Sequence, residues 1–162
     1  MSERAAILTV SDRAAAGRMQ DRAGPAATAF VRERLTMTAD AAAVVPDEVE
    51  AIRGVLRGWL GAADPPRLIL TSGGTGLGPR DLTPEAVSPL IERPAPQLLE
   101  LARLRCLPGT PEAYLSRGVA GVSGRTLILT LPGSPRAVTQ MLEQLADLLP
   151  HALRHVAGDT EH

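Results

Sequence analysis

A stretch rich in glycine carries hydroxyl, guanidinium and carboxylate groups close together in the chain. It runs from Ser72 to Asp81 and reads Ser-Gly-Gly-Thr-Gly-Leu-Gly-Pro-Arg-Asp. Glycine adopts positive φ easily and lets a ligand approach the backbone, so that successive amides can point at an anion. A bare chain reversal rarely needs four glycines with such polar neighbours. The loop therefore predicts a site for a phosphate-bearing ligand, and we expect a valine at Gly74 to remove binding while the fold persists.

Two familiar phosphate-binding motifs do not fit this loop. A P-loop ends in Gly-Lys-Ser/Thr, whereas here Gly78 is followed by Pro79 and Arg80. The dinucleotide fingerprint needs G-x-G-x-x-G, and the loop offers only G-x-G-x-G. All 17 basic residues are arginine. The absence of lysine excludes Schiff-base chemistry, pyridoxal-phosphate attachment and lysyl-adenylate intermediates.

Apolar runs of strand length alternate with amphipathic segments of helix length, which is typical of a largely parallel sheet covered by helices. We predict strands at 5–10, 41–45, 67–71, 118–122 and 126–131. We predict helices at 25–35, 49–59, from Thr83 onward, at 96–104 and at 135–149. The two strands at 118–131 flank a Ser-Gly pair that suits a tight turn, so they supply the antiparallel element.

Four polar turns each follow a predicted strand: 11–13 (Ser-Asp-Arg), 46–48 (Pro-Asp-Glu), 72–81, and 132–134 (Pro-Gly-Ser). In open parallel sheets, ligands bind outside the carboxyl ends of the strands, where the strand order reverses. Four such turns on one edge of the sheet predict a single shared site there.

The acidic residues of these turns have two possible roles. Asp47 and Asp81 could bind Mg²⁺, which proteins commonly hold by one or two carboxylates together with substrate phosphates. Each could instead cap a turn or a helix start, which is the commoner role of a lone aspartate. The carboxylates of Asp12 and Asp21 could also bind the metal. The guanidinium groups of Arg13 and Arg80 could hold a phosphate.

The composition and net charge argue against several kinds of binding partner. The formal net charge is −1 and the chain has three aromatic residues, which argues against a nucleic-acid partner. No apolar stretch approaches the roughly 20 residues needed to span a membrane. The single cysteine excludes an internal disulfide. We therefore expect one cytoplasmic domain over 1–162, with no nucleic-acid and no membrane partner.

Several segments, in chain order, resemble the molybdopterin adenylyltransferases, which are the Mog/MoaB-type proteins of molybdenum cofactor biosynthesis. They are T-V-S-D-R-A-A-A-G-R-M-Q-D-R-A-G-P (9–25), P-D-E (46–48), T-S-G-G-T-G-L-G-P-R-D-L-T-P-E-A (71–86), L-S-R-G-V-A-G-V (115–122) and L-P-G-S-P (131–135). The segment 71–86 is the most specific of them.

The resemblance implies a three-layer α/β/α fold with a largely parallel sheet and one antiparallel strand, assembled as a homotrimer. It implies that the terminal phosphate of molybdopterin attacks the α-phosphorus of ATP with Mg²⁺ present, which releases pyrophosphate. The family's acidic positions fall on Asp47 and Asp81, which are the expected catalytic and Mg²⁺-binding residues. The expected positions for phosphate, nucleotide and pterin are Ser11, Asp12, Arg13, Ser72, Gly73, Gly74, Thr75, Gly76, Arg80, Pro132, Gly133 and Ser134.

One departure from the family pattern and two alternatives remain open. Residues 93–97 read Arg-Pro-Ala-Pro-Gln, where many relatives carry an acidic residue and a Pro-Gly pair, so we expect a reshaped wall on the pterin side. The chain could be a non-catalytic molybdopterin-binding or assembly module, which is compatible with contact with the molybdate-inserting enzyme. A related enzyme domain of the same fold fits less well, because molybdate-inserting proteins are much longer than 162 residues and loops of the nucleotide-hydrolase type lack the Thr75-Gly76 and Arg80-Asp81-Leu82-Thr83 arrangement.

Overall fold

The computed structural model describes residues 3–159. Over this range the chain forms six strands: β1 (Arg4–Val10), β2 (Thr38–Val45), β3 (Leu68–Ser72), β4 (Arg93–Pro94), β5 (Ala120–Ser123) and β6 (Thr126–Leu131). The helices of the same range are α1 (Asp12–Ala15), α2 (Ala23–Arg34), α3 (Val49–Leu60), α4 (Thr83–Val87), α5 (Pro96–Cys106), α6 (Pro135–Glu143) and α7 (Leu149–Ala157). Short 3₁₀ turns cover 88–90 and 111–115.

The strands form one sheet in the order β2-β1-β3-β6-β5-β4. The first four of these are parallel, and β5 runs antiparallel to both β6 and β4. The next two strands in the chain, β2 and β3, lie on opposite sides of β1. The strand order therefore reverses between β1 and β3. The carboxyl ends of β1, β2, β3 and β6 share one edge, which confirms the predicted sheet and the meeting of the four polar turns.

The sheet is buried on both faces, and alternate strand residues enter two separate cores. On one face, Ile7, Leu70 and Leu129 pack against α2, α5, α6 and α7. On the other face, Leu8 and Ile128 pack against α3 and α4. Burial on both sides explains why these strands read as continuous apolar runs rather than as alternating patterns. The result is the expected three-layer α/β/α fold.

The final segment differs from the prediction, because 135–149 is not one helix. The chain forms α6 and then α7, separated by a tighter turn in which Leu145 and Leu148 donate to carbonyls three residues back. Pro150 has no N–H to donate and its ring would clash with the carbonyl of Ala146, so a helix cannot run through it unbroken. Leu145 and Leu149 are still fully buried, which is why the apolar spacing looked continuous.

Smaller differences concern element ends. Helix α2 begins two residues before Pro25, and β4 pairs with β5 over two residues that no strand pattern indicated. The predicted cap Thr83 is the first residue of α4, and its hydroxyl donates to the carbonyl of Gly73. Within residues 3–159, no helix is both long and apolar enough to cross a bilayer.

Candidate functional site

Two cavities open at the carboxyl edge of the parallel strands. The Thr75 cavity, of about 620 Å³, lies between Thr75–Gly76, the segment 109–116 and the start of α6. The Asp47 cavity, of about 700 Å³, lies between the turn after β1, Asp47 and the residues that precede α2. Gly74, Gly133 and Ser134 line both cavities. They form a ridge between the cavities, where the glycine loop touches the Pro-Gly-Ser turn: a Cβ on Gly133 would lie 3.3 Å from the Cα of Gly73.

The glycines of the loop serve two different purposes. Gly73 and Gly74 have φ of +96° and +66°, as the sequence predicted for a loop that turns its amides outward. Gly76 and Gly78 do not have positive φ. A Cβ on either would lie 2.9 or 2.8 Å from a carboxylate oxygen of Asp81, so these two glycines make room for that side chain.

The loop presents unpaired donors to the Thr75 cavity. The backbone N–H groups of Gly74, Thr75 and Gly76 donate no hydrogen bond to any other residue of the described range. All three residues line the cavity. Ser134 lines the same cavity and caps α6, because its hydroxyl oxygen accepts from the Ala137 N–H at 3.1 Å. Free amides and a helix start make a favourable environment for an anion.

The structure assigns definite partners to Asp47 and Asp81. Asp47 does not cap α3; its Oδ2 accepts from the Asp12 N–H at 2.8 Å, and the Asp47 N–H donates to Asp12 Oδ1 at 3.0 Å. Asp81 Oδ2 accepts from the Gly78 N–H at 2.8 Å and so closes the loop on itself. Asp81 lines the Thr75 cavity and Asp47 lines the other, one on each side of the ridge.

The charge around Asp47 favours a cation. Partial burial raises the pKa of its carboxyl, and the negative charges of Asp12 and Asp81 raise it further, against the hydrogen bond from the Asp12 amide and the charge of Arg80. Its Oδ1 accepts no hydrogen bond from another described residue and lies near Gly74. No cluster of three or more His, Cys, Asp or Glu side chains in residues 3–159 could hold a metal alone. A magnesium ion would therefore fit here with one or two carboxylates, completing its shell with phosphate and water oxygens.

Arg80 is paired rather than free to hold a phosphate. Its Nε and Nη2 donate to the two carboxylate oxygens of Asp12 at 2.6 and 2.9 Å, and Nη2 also donates to the Asp47 carbonyl at 3.3 Å. This contact lowers the pKa of the Asp12 carboxyl, with a smaller contribution from the Asp47 amide. Arg80 lines neither cavity. Its hydrogen bonds to Asp12 and Asp47 join the glycine loop to the turns after β1 and β2. Arg13 lines the Asp47 cavity, and its guanidinium makes no hydrogen bond or ion pair within the described range.

Of the other predicted site residues, some line a cavity and others only support the fold. Ser11 lines the Asp47 cavity and caps α1 through the Ala14 N–H. Asp21 also lines it, but its oxygens accept from the Thr9 hydroxyl at 2.8 Å and the Gly24 N–H at 3.0 Å, so it fixes the start of α2. Ser72 is only 2% exposed and lines neither cavity. Pro132 lines the Thr75 cavity.

The chain matches the family model described as a probable molybdopterin binding domain over residues 6–151. The crystal structure of the molybdopterin biosynthesis enzyme MoaB from Thermus thermophilus is 50% identical and superposes with a TM-score of 0.87, covering 96% of this chain and 97% of that one. The molybdopterin adenylyltransferase of Helicobacter pylori strain ATCC 700392 / 26695 is 33% identical over 156 residues, which cover 94% of this chain and 87% of that protein. The chain belongs to the Mog/MoaB-type family of molybdenum cofactor biosynthesis proteins.

Some members of this Mog/MoaB-type family are much longer than the chain. The molybdenum cofactor synthesis protein cinnamon of Drosophila melanogaster is 42% identical over 153 residues, which are 94% of this chain but 25% of that protein. The chain spans between 21% and 49% of the length of the first four curated relatives it matches. The similarity to these four longer proteins is therefore confined to one segment of each.

The Mog/MoaB-type site includes residues that the sequence analysis missed. Glu112, Arg136 and Gln140 line the Thr75 cavity, and Ser116 joins its wall by donating its hydroxyl to the Thr75 hydroxyl at 3.1 Å. Residues 109–114 belong to no motif of the sequence, and folding alone brings them to the loop. The only signal was the L-S-R run at 115–117, which formed part of the family resemblance without an assigned role.

The segment 93–97, where the sequence departs from the family pattern, lies outside both cavities. This segment forms β4, which pairs with β5 at the far edge of the sheet, and then begins α5. None of its residues lines either cavity. The segment lies three strands away from the switch between β1 and β3, and the expectation of an altered pterin-side wall stays a prediction.

Proposed function

We propose that the chain is a molybdopterin adenylyltransferase, which transfers AMP from ATP to the terminal phosphate of molybdopterin and releases pyrophosphate. The observation that carries the proposal is the pair of cavities that meet at the ridge of Gly74, Gly133 and Ser134, with Asp81 lining one cavity and Asp47 the other. Relatives that carry this activity in their names, such as the Helicobacter pylori protein, support it.

The two cavities suit a reaction between two phosphate-bearing ligands. Each cavity is large enough for a bicyclic ring with its sugar or side chain, at about 620 and 700 Å³. Among residues 3–159, only Gly74, Gly133 and Ser134 are common to both linings, so two ligands would approach each other there through their phosphates. Holding the two reacting groups together at the ridge supplies much of the rate enhancement expected of such a transfer.

The residues of this chain bind and orient the ligands rather than bond to them. The free amides of Gly74, Thr75 and Gly76 would hold phosphate oxygens, and Arg13 would add a positive charge on the other side of the ridge. Asp47 and Asp81 would hold Mg²⁺, which when bound neutralises the negative charge of the phosphates. Direct attack of one phosphate on another needs no covalent intermediate on the protein, so the lack of lysine is no obstacle.

The proposal is tested by supplying the purified protein with molybdopterin, ATP and Mg²⁺. The expected result is pyrophosphate together with adenylated molybdopterin, with neither product formed when the pterin is left out. Tight binding of molybdopterin without either product would overturn the transferase proposal. That outcome would support the alternative, a molybdopterin-binding or assembly module.

We also propose a homotrimer, which the family resemblance implies. Several large apolar side chains of the described range are exposed on α5 and the segment after it: Leu104, Leu107, Tyr114 and Leu115. A second copy packed on such a surface would remove it from water. Light scattering at micromolar concentration is expected to give three times the chain mass, and a stable monomer would contradict the proposal.

A further inference from the structure

Arg117 binds three backbone carbonyls of the glycine loop. It lies just before β5, and its backbone N–H donates to the Thr75 carbonyl at 2.7 Å. Its side chain donates through Nε to the Gly76 carbonyl at 2.9 Å and through Nη2 to the Asp81 carbonyl at 2.7 Å. One planar guanidinium therefore holds both ends of the segment 76–81, the segment that carries the Asp81 carboxylate.

The segment 76–81 needs such an external support. Its internal hydrogen bonds, from the Asp81 N–H to the Gly78 carbonyl and from the Gly78 N–H to Asp81 Oδ2, only close the turn on itself. The turn is largely exposed, with Leu77 at 70% exposure, so packing does not fix it. Its place relative to the cavities depends on Arg117 at its two ends and on the contact of Arg80 with Asp12.

The guanidinium of Arg117 is itself oriented by α4. Its Nη1 lies 2.6 Å from Oε1 of Glu85, and its Nη2 lies 3.5 Å from Oε2. The contact with Arg117 lowers the pKa of the Glu85 carboxyl. A lysine could carry the same charge but could not reach two carbonyls and a carboxylate in one plane.

We propose that Arg117 is a positioning residue, which lines neither cavity and acts on the reaction by fixing Asp81 and the amides of Thr75 and Gly76. The inference rests on the proposed adenylyl transfer for its effect on rate. A displacement of about 1 Å at such a site can lower the rate on the order of a hundredfold, because the reacting groups lose their alignment.

The test compares Arg117→Lys and Arg117→Gln with Arg105→Lys and Arg105→Gln. Arg105 is a matched control, because it also joins a carboxylate (Asp147 at 2.9 Å) to a backbone carbonyl (Gln144 at 2.6 Å), yet its guanidinium donates to no residue of the glycine loop. Both Arg117 variants are expected to lower kcat by about 10- to 100-fold with KM for ATP and molybdopterin changed by less than about threefold. Both Arg105 variants should keep the kcat of the parent protein. If Arg117→Lys folds and keeps the parent kcat, the proposal is wrong.

A second measurement does not depend on activity. Amide hydrogen exchange at Gly78 and Asp81 is expected to be at least about tenfold faster in Arg117→Lys than in the parent protein or in Arg105→Lys, because these hydrogen bonds lose their external support. If the parent protein shows no turnover, the proposed transferase function fails, and this measurement still decides whether Arg117 fixes the loop. Unchanged exchange at both amides would overturn the inference.

Discussion

Asp81→Asn and Asp47→Asn are each expected to slow adenylyl transfer by roughly a hundredfold or more while molybdopterin binding changes little. Losing a contact made only in the transition state, of ~3 kcal/mol, has this effect on rate. The amide oxygen of asparagine can still accept from the Gly78 N–H in one variant and from the Asp12 N–H in the other, so both should remain folded. Steady-state rates and pterin binding, measured on the same preparations, check the prediction.

The matched control for these charge removals is Asp147→Asn. Asp147 is exposed, pairs with Arg105 and lines neither cavity, so its replacement should leave turnover unchanged. If both site variants retain near-normal rates, Asp47 and Asp81 do not hold a catalytic metal. Their carboxylates would then serve only to fasten the turns after β2 and β3.

Gly74→Ala is expected to abolish binding of both ligands and to lower the free energy of unfolding. A side chain at φ +66° costs about 1–2 kcal/mol. The added Cβ would also collide with the Thr83 hydroxyl and lie 3.2 Å from Asp47 Oδ1, which adds to that loss. Thermal melts give the stability, and titrations with ATP and molybdopterin well below the melting temperature give the binding.

Gly124→Ala is the control for Gly74→Ala, because it adds the same backbone strain without a side chain at the ridge. Gly124 also has positive φ, +56°, but a Cβ there would meet nothing within 4 Å, and it lies in the turn between β5 and β6. It should lose stability through the backbone alone and bind both ligands normally. Normal binding by Gly74→Ala would show that the loop is only a chain reversal.

The collision at Gly74 also corrects the sequence-based expectation that a valine there would spare the fold. That expectation followed from the backbone freedom of glycine, which the sequence does reveal. The expectation took no account of the Thr83 hydroxyl. This group lies beside Gly74 because it donates a hydrogen bond to the Gly73 carbonyl. A substitution at Gly74 therefore strains the start of α4 as well as the binding site.

The pattern of apolar and polar residues along the sequence was enough to predict the parallel sheet and the edge at which the four polar turns meet. Strands such as 67–71 and 126–131 are continuous apolar runs because both faces of the sheet are covered, and that signal survives in the amino-acid order. Parallel strands share one carboxyl edge, so the convergence of the four polar turns followed from the strand assignment. The loop that carries Gly73 and Gly74 was equally visible, because positive φ favours a residue without a side chain.

Tertiary structure alone decided the partners of the charged side chains. Arg80 meets Asp12 across 68 positions of sequence, Asp47 meets Asp12 across 35, and Arg117 meets Asp81 across 36. No local pattern encodes such pairs, because strand order and loop path bring them together. The wall of the Thr75 cavity formed by 109–116 arises in the same way: spacing reveals which residues are apolar, but packing decides what they meet.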